Sequence, residues 1–385
     1  MKTINILSNY FPPHIAPSSN RVYTLSKVLG VKYKVRVFYN CQKNEVYHPE
    51  DNDTVEYYPV FIKGRNKSNF VLRVISETYN SIRLNVKALR YKSDLTITSI
   101  PDLMLLPTTA FFNYLTPRKT IVDVRDLIWR YAEFKDGSVN VFLNGILTLI
   151  SKWALKSFTA HVCVTDAQKN YLDKFAGCSF KVISNGIELE KFNKLQTVTH
   201  SATNQFTISY IGTLGHMQNL LSLYPAFKRL SEYGIVINLV GGGAQFRDLE
   251  IRIRRDNLKN IHMYGKVDWN KLIDFYSCSN VLFAQLRDLP SVNTAEPSKL
   301  FEYLSTGKPI IYLGKGAANQ LLSKFEMSYL IEPENQKLFY KTVVELSNSL
   351  PVVDGCNNRK LIESCYIRED QLHEFFLLVD DVVRY

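Results

Sequence analysis

The sequence predicts an α/β protein built as two doubly wound halves, and three observations predict it. Its 385 residues are too many for one typical hydrophobic core, so two domains are the default expectation. Short apolar runs alternate with segments of helical periodicity, the rhythm of βαβ units and a parallel sheet. That rhythm breaks off and restarts after residue 200, across a polar stretch from Lys194 to Gln205.

Ile4-Asn5-Ile6-Leu7 reads as a buried first strand, followed by a long loop with Pro12, Pro13 and Pro17. Ser18-Ser19-Asn20 then offers an N-cap to a helix that places Val22, Leu25, Val28 and Leu29 on one side. Gly30 closes it and Val35-Val37-Phe38 starts a second strand. Further buried strands are expected at Leu95–Thr98, Thr120–Val124 and His161–Val164. In the second half they are expected at Phe206–Ile211, Val236–Val240, Ile261–Tyr264, Asn280–Phe283 and Pro309–Tyr312. The predicted organisation is an N-terminal domain over 1–190, a linker over 191–205 and a second domain over 206–365. Residues 366–385 are expected to form a helix packing back on the first domain. Open α/β sheets bind ligands outside the carboxyl ends of their strands, so the chemistry is sought in those loops.

Composition narrows the class. An apolar share of 46% and a charged share of 22% are ordinary for a globular chain. No run of about eighteen apolar residues occurs, so no spanning helix is expected. The first apolar run is too short for a signal-peptide core, and a cytoplasmic protein is expected. The six cysteines form no CxxC pair and no metal cadence with the seven histidines, so no metal site and no cofactor are expected. A net charge of +11 favours an anionic partner. The surplus concentrates in Lys63–Lys92, where Lys63, Arg65, Lys67, Arg73, Arg83, Lys87, Arg90 and Lys92 face only Glu77. Apolar residues interleave with them, which suits either an anionic phospholipid surface or a solvated helix of the first domain. No nucleic-acid motif accompanies the charge, so no nucleic-acid partner is expected.

The segment richest in chemistry is Glu296-Pro297-Ser298-Lys299-Leu300-Phe301-Glu302-Tyr303-Leu304-Ser305-Thr306-Gly307-Lys308-Pro309. Pro297 suits a helix's first turn, and Gly307 with Pro309 ends it. Lys299 and Glu302 then share a face. A helix N-terminus plus a lysine is an anion site, and a carboxylate one turn deeper accepts from a ribose diol. An ordinary amphipathic helix with a solvated ion pair has the same spacing. In the first half, Asp126 follows the Thr120–Val124 strand, where it accepts a proton from an acceptor hydroxyl or caps a helix. Ser18, Ser19 and Asn20 are small enough for a close approach to phosphate or acceptor, although capping explains them nearly as well.

Pro-Ser-Lys-Leu-Phe-Glu-Tyr-Leu-Ser-Thr-Gly-Lys-Pro resembles the donor-binding signature of glycosyltransferase family 4. The resemblance extends over Phe11-Pro12-Pro13, Ile183-Ser184-Asn185-Gly186-Ile187-Glu188, Tyr210-Ile211-Gly212-Thr213-Leu214-Gly215 and Leu239-Val240-Gly241-Gly242-Gly243, in the family's order. It implies the GT-B architecture, two Rossmann-like domains facing across a cleft, and metal-free transfer of a sugar with retention. It also implies that Gly212, Thr213, Ser298, Lys299 and Glu302 hold a nucleotide-sugar, expected to be UDP-linked. The pattern departs from the family at Thr294, where a first glutamate is common, and at Thr213 and Gln218, where basic residues are common. Arg287 and Lys299 are therefore inferred to supply the missing charge. The departures resemble a subgroup that assembles bacterial surface polysaccharide. That resemblance implies a lipid-linked saccharide acceptor, a hexosyl or N-acetylhexosaminyl donor and work at the cytoplasmic face of the inner membrane. A GT-B sugar-nucleotide epimerase and a catalytically silent GT-B scaffold are the alternative readings.

Overall fold

The computed structural model describes residues 1–385 apart from 15–16, 48–53, 63–69, 101, 128, 131–137, 199–204, 352–354 and 385. Lys63, Arg65 and Lys67 of the sequence reading, and most of the linker's second half, lie outside the described residues. The chain forms two compact units, Met1–Asn185 with Arg368–Tyr385, and Gly186–Ile367.

The first unit runs β1 (Thr3–Ser8), α1 (Pro17–Gly30), β2 (Lys34–Cys41), β3 (Val55–Phe61), α2 (Phe70–Leu89), β4 (Leu95–Ile100), α3 (Leu105–Leu115), β5 (Thr120–Val124), α4 (Ser138–Leu155), β6 (Ala160–Cys163), α5 (Asp166–Ala176) and β7 (Phe180–Val182). The strands form one sheet in the order β3-β2-β1-β4-β5-β6-β7, parallel throughout. Its central strands β4 and β5 are buried on both faces, which is why they read as mostly apolar and β-branched runs, with Ser99 and Asp123 as the exceptions. Ile4, Ile6, Val35 and Val37 share a core with Val22, Leu25 and Leu29 of α1. Leu7 and Phe38, on the alternate face, meet Leu84 and Ala88 of α2 and Leu105 of α3.

The second unit opens with α6 (Leu189–Leu195) and continues through β8 (Thr207–Ile211), α7 (Tyr224–Glu232), β9 (Val236–Val240), α8 (Phe246–Arg255), β10 (Ile261–Tyr264), α9 (Trp269–Cys278), β11 (Val281–Gln285), α10 (Ser298–Ser305), β12 (Ile310–Leu313), α11 (Ala317–Leu322), β13 (Ser328–Ile331), α12 (Gln336–Asn348) and α13 (Cys356–Cys365). Its parallel sheet has the order β10-β9-β8-β11-β12-β13. Phe227, Leu249, Phe339 and Val343 fill one side, and Phe192, Leu272, Leu300 and Leu321 the other. The chain then re-enters the first unit as α14 (Arg368–Arg384). Its Leu372, Phe375, Val379 and Val383 join the α1 core.

Both sheets therefore have a Rossmann-type order, with the winding direction reversing at β1/β4 and at β8/β11. Such switch points are where open sheets receive ligands.

Three strands were not expected, β3, β7 and β13, and all three sit at sheet edges. Edge position explains the weak signal, because a half-covered strand keeps polar residues and tolerates Pro59. Ser18, Ser19 and Asn20 are not N-caps: α1 starts at Pro17 and they form its first turn. Proline's fixed φ favours that starting position. The stretch read as a linker from residue 191 begins as α6, whose Phe192 and Leu195 are buried in the second unit's core. Two apolar anchors three residues apart dock a helix whose remaining residues, apart from the exposed Leu189, are polar.

One buried ion pair ties the first unit's two halves. Arg21 of α1 bonds both carboxylate oxygens of Asp123 on β5 at 3.2 Å and also donates to the carbonyls of Ile183 and Ser184. Ser99 of β4 donates to the same carboxylate. Removing one partner of a buried pair strands the other charge, so Arg21→Ala is expected to destabilise the fold by about 3–5 kcal/mol. Urea denaturation checks this, and an unchanged midpoint would refute the assignment.

Candidate active site

In the second unit the site begins with a gap between strands. The β8–β11 ladder pairs Ile208 with Val281 and Ser209 with Leu282, then stops, while β8 stays paired with β9 as far as Ile211. The backbone of Ile211 therefore lacks a ladder partner at the switch point. The Tyr303 hydroxyl of α10 replaces it, accepting from Ile211 N at 2.8 Å and donating to Ile211 O at 3.0 Å. Burial pushes that phenol well above its usual pKa, which keeps it a donor at any working pH.

The loops after β8 and β11 are knitted together above this gap. Gln285, at the end of β11, donates to the carbonyls of Gln218 and Asn219 at 2.8 and 2.9 Å. Arg287 N donates to Met217 O at 2.9 Å. Gly212 and Thr213 begin the β8 loop, Thr213 with its side chain exposed and its carbonyl accepting from Tyr210. Gln218 turns its side chain inward to accept from Gly215 N. Gly241, with φ +135°, is glycine for packing: a Cβ there would stand 1.8 Å from Gly212 O. The glycine run after β9 thus lets two loops touch. Arg287 forms an ion pair with Glu334 at 3.4 Å, and Asn219 donates to the same carboxylate at 2.7 Å. The guanidinium is about half exposed, so a competing anion could draw it from Glu334 at small cost.

Helix α10 presents the charged pair. It starts at Ser298, with Pro297 at the N-cap position rather than inside the first turn, and neither a side-chain cap nor an acid occupies its N-terminus. The N-terminus carries partial positive charge, and the nearest acid in sequence, Glu296, lies before the N-cap. Lys299 Nζ bonds Glu302 Oε2 at 2.8 Å, and the Tyr276 hydroxyl of α9 donates to that same oxygen at 2.8 Å. Glu302 is only 9% exposed, so this is not a solvated surface pair. Burial pushes its carboxyl up, but Lys299, Lys191 and the Tyr276 hydroxyl outweigh that, leaving it below its ordinary value of 4.5. Both bonds fall on Oε2, so Oε1 keeps its accepting capacity. Thr294, where a glutamate is common in the resembling family, bonds Ser291 O and closes its own short turn.

In the first unit, the loop after β1 and α1's first turn bring Ser18, Ser19 and Asn20 to the sheet's carboxyl edge, with Ser18 and Ser19 buried. Asp126 lies two residues beyond β5 at the same edge and is partly open to solvent. Burial raises its pKa above the ordinary 3.8, against an opposing pull from Arg125. Arg125 is buried, donates to Asn185 Oδ1 at 2.8 Å, and is lowered to about 10 by burial and by Arg21.

Sequence reasoning missed Tyr276, Tyr303 and Gln285. Gln285 had a readable signal, an amide ending an apolar strand. The tyrosines had none, since an aromatic on a helical face normally means core.

Residues 192–352 match the family model of glycosyl transferases group 1. No curated protein matches the chain by sequence. Among solved structures, a sucrose-phosphate synthase from Thermosynechococcus elongatus is similar with a TM-score of 0.80 and 15% identity, over 99% of each chain. WaaG, a glycosyltransferase involved in lipopolysaccharide biosynthesis, is similar with a TM-score of 0.72 and 11% identity, over 96% of this chain and 98% of that one. HepE of Anabaena in complex with UDP is similar with a TM-score of 0.68 and 13% identity, over 99% and 100%. The fold is GT-B. The neighbours show the fold, and the matched domain over residues 192–352 is what links the chain to glycosyl transfer.

Tyr303→Phe removes both bonds to Ile211 and is expected to cost about 1–3 kcal/mol of stability, measured by denaturant unfolding. Because Glu302's folded pKa is depressed, its stabilisation is present above 4.5 and is lost as pH falls through the lower folded value. Glu302→Gln should lack that acid-side loss in melting temperature, and an identical pH profile would refute the pairing.

Proposed function

We propose that this chain is a retaining glycosyltransferase that moves a hexosyl or N-acetylhexosaminyl group from a UDP-linked donor to a saccharide acceptor. The observation that carries the proposal is the Tyr276–Glu302–Lys299 cluster on an uncapped helix, within the segment that matches the glycosyl transferases group 1 model. A nucleoside diphosphate has two features to recognise, a dianion and a vicinal diol. The uncapped end of α10 and Lys299 suit the diphosphate, and Glu302 Oε1 suits the ribose hydroxyls. Ser298 adds a hydroxyl to the helix's first position. Gly212, Thr213 and Arg287 border the adjoining gap at β8/β11, and Arg287 exchanges Glu334 for phosphate.

The reaction we infer breaks the bond from the anomeric carbon to the diphosphate and forms one to the acceptor oxygen on the same face. The acceptor proton passes to the departing diphosphate. Lys299, Arg287 and the helix end stabilise the charge that develops, which is the larger share of such catalysis. No metal enters this scheme. The first unit is assigned the acceptor, with Asp126 orienting the attacking hydroxyl and Ser18, Ser19 and Asn20 bordering it. The lipopolysaccharide role of WaaG and the basic first unit support a lipid-linked acceptor in surface-polysaccharide assembly.

Calorimetric titration with UDP and GDP tests the donor. UDP is expected to bind, and Lys299→Ala and Glu302→Ala to weaken it by about 10- to 100-fold each. No binding of either nucleotide to folded protein would overturn the proposal. Donor turnover without an acceptor would identify an epimerase instead. For Asp126→Asn, kcat is expected to fall by about 10²-fold with UDP affinity unchanged. The wild-type rate should fall on the acid side through a pKa above 3.8, and that limb should vanish in the variant.

A further inference from the structure

Arg125 stands directly before Asp126 at the carboxyl end of β5, and the proposed reaction gives it no task. Its side chain lies in a residue only 6% exposed, and Nη2 donates to Asn185 Oδ1 at 2.8 Å. Nε and Nη1 are buried and meet no acceptor among the described residues. Burial lowers the guanidinium to about 10, so it still carries its charge at neutral pH. The partner it has is a neutral amide, not a carboxylate. A buried charge held in this way is costly, and orphaned buried donors in a native fold point to a missing partner.

The surroundings do not supply that partner. The charges acting most strongly on Arg125 are Arg21, Asp123, Asp126 and Arg368, all in the first unit. Asp123 is already taken, since Arg21 holds both of its oxygens and Ser99 donates to one of them. Asp126 feels the Arg125 charge but accepts nothing from its Nε or Nη1. Arg368 donates from Nε to the Asn185 carbonyl at 2.9 Å, on the same residue that faces Arg125. Three cations among two acids leave one positive charge in excess. Ser184, whose carbonyl accepts from Arg21, adds a buried hydroxyl that also lacks a partner. Ser184 and Asn185 are both partly open to solvent, so a ligand can reach this strand end. A carboxylate brings one negative charge and two accepting oxygens, whereas a phosphate ester brings close to two charges. The single excess charge matches the former.

We propose that Arg125 binds a carboxylate, and that the saccharide acceptor is an acidic sugar whose carboxylate meets Arg125 while Asp126 orients its attacking hydroxyl. The acceptor half of this proposal rests on the glycosyltransferase reading, whereas the anion site depends on the first unit alone. A neutral sugar would leave the buried donors of Arg125 unpaired, so the site discriminates against it.

Thermal unfolding of the full chain with glucuronate, galacturonate, glucose or glucose 6-phosphate tests it. A uronate is expected to raise the melting temperature, and glucose to leave it unchanged. Arg125→Gln should weaken uronate binding by at least about tenfold, and Arg125→Lys should recover part of it. Asn185→Asp sets a built-in carboxylate against Arg125. It should raise the melting temperature without ligand and remove the uronate response, a result that does not require Arg125→Gln to fold. No response to either uronate would overturn the proposal, as would a response that persists in Arg125→Gln. Stronger stabilisation by glucose 6-phosphate, removed by Arg125→Gln, would overturn it in favour of a phosphorylated ligand. Selective loss of UDP-glucuronate affinity over UDP-glucose in Arg125→Gln would give the carboxylate to the donor and overturn the acceptor assignment. Titration with UDP on the same samples separates the two readings. Arg125-dependent uronate binding without UDP binding would uphold this site while sinking the transferase reading, and UDP binding without a uronate response would do the reverse.

Discussion

Every strand pairing described in this chain is parallel, and parallel pairing forbids a hairpin return. Each strand must be followed by a crossover that carries the chain back along a face of its sheet. Two consequences follow. Both faces are covered and apolar, so polar groups with chemistry to perform are displaced to the strand ends. All strands of a sheet also deliver their following loops to one edge. Asp126 and the first turn of α1 share such an edge in the first unit, and Thr213 and Arg287 in the second, although they are far apart in sequence.

The second unit shows how that edge is opened. Where the winding reverses, β8 and β11 pair over only two residues before parting. A buried backbone N–H and C=O left unpaired there would cost free energy comparable to a lost hydrogen bond. Tyr303 closes that account with one hydroxyl, and in doing so fixes α10 against the parting strands. Glu302 and Lys299 precede it on the same helix, so the residue that repairs the ladder also sets the register of the charged pair. The polar partners that look structural and those that look functional belong to one device here.

Ion pairs divide by burial. Arg21–Asp123 is shielded from water, and in Lys299–Glu302 the carboxylate is buried while the lysine is about a third exposed; further donors complete both carboxylates. Arg287–Glu334 and Lys315–Asp288 are roughly half exposed. The first kind holds geometry because breaking it leaves a buried charge, whereas the second can exchange partners readily. Elsewhere acids and bases pair along single helices, as in Glu250–Arg254 and Glu190–Lys194.

The fold was largely legible in the residues alone because a doubly wound chain writes it locally. Central strands such as Thr120–Val124 are buried on both faces and mostly apolar or β-branched, and helices such as α1 and α10 begin and end at proline and glycine. The charged pair of α10 was legible for the same reason, since Lys299 and Glu302 are three residues apart on one helix. The edge strands β3, β7 and β13 were illegible because half-covered strands need no distinctive pattern, although the edge strand β10 was readable, and Phe192 and Leu195 were lost in a polar run for want of a visible partner. Only the tertiary structure decided that Glu302 is buried, that Arg287 is already paired, and that Tyr276 and Tyr303 serve polar partners. It also decided that Leu72, Ile75, Tyr79, Ile82 and Val86 of α2 face outward rather than into the core. Sequence periodicity states that a helix has an apolar side, but which side the sheet covers depends on every neighbour that competes for the same surface.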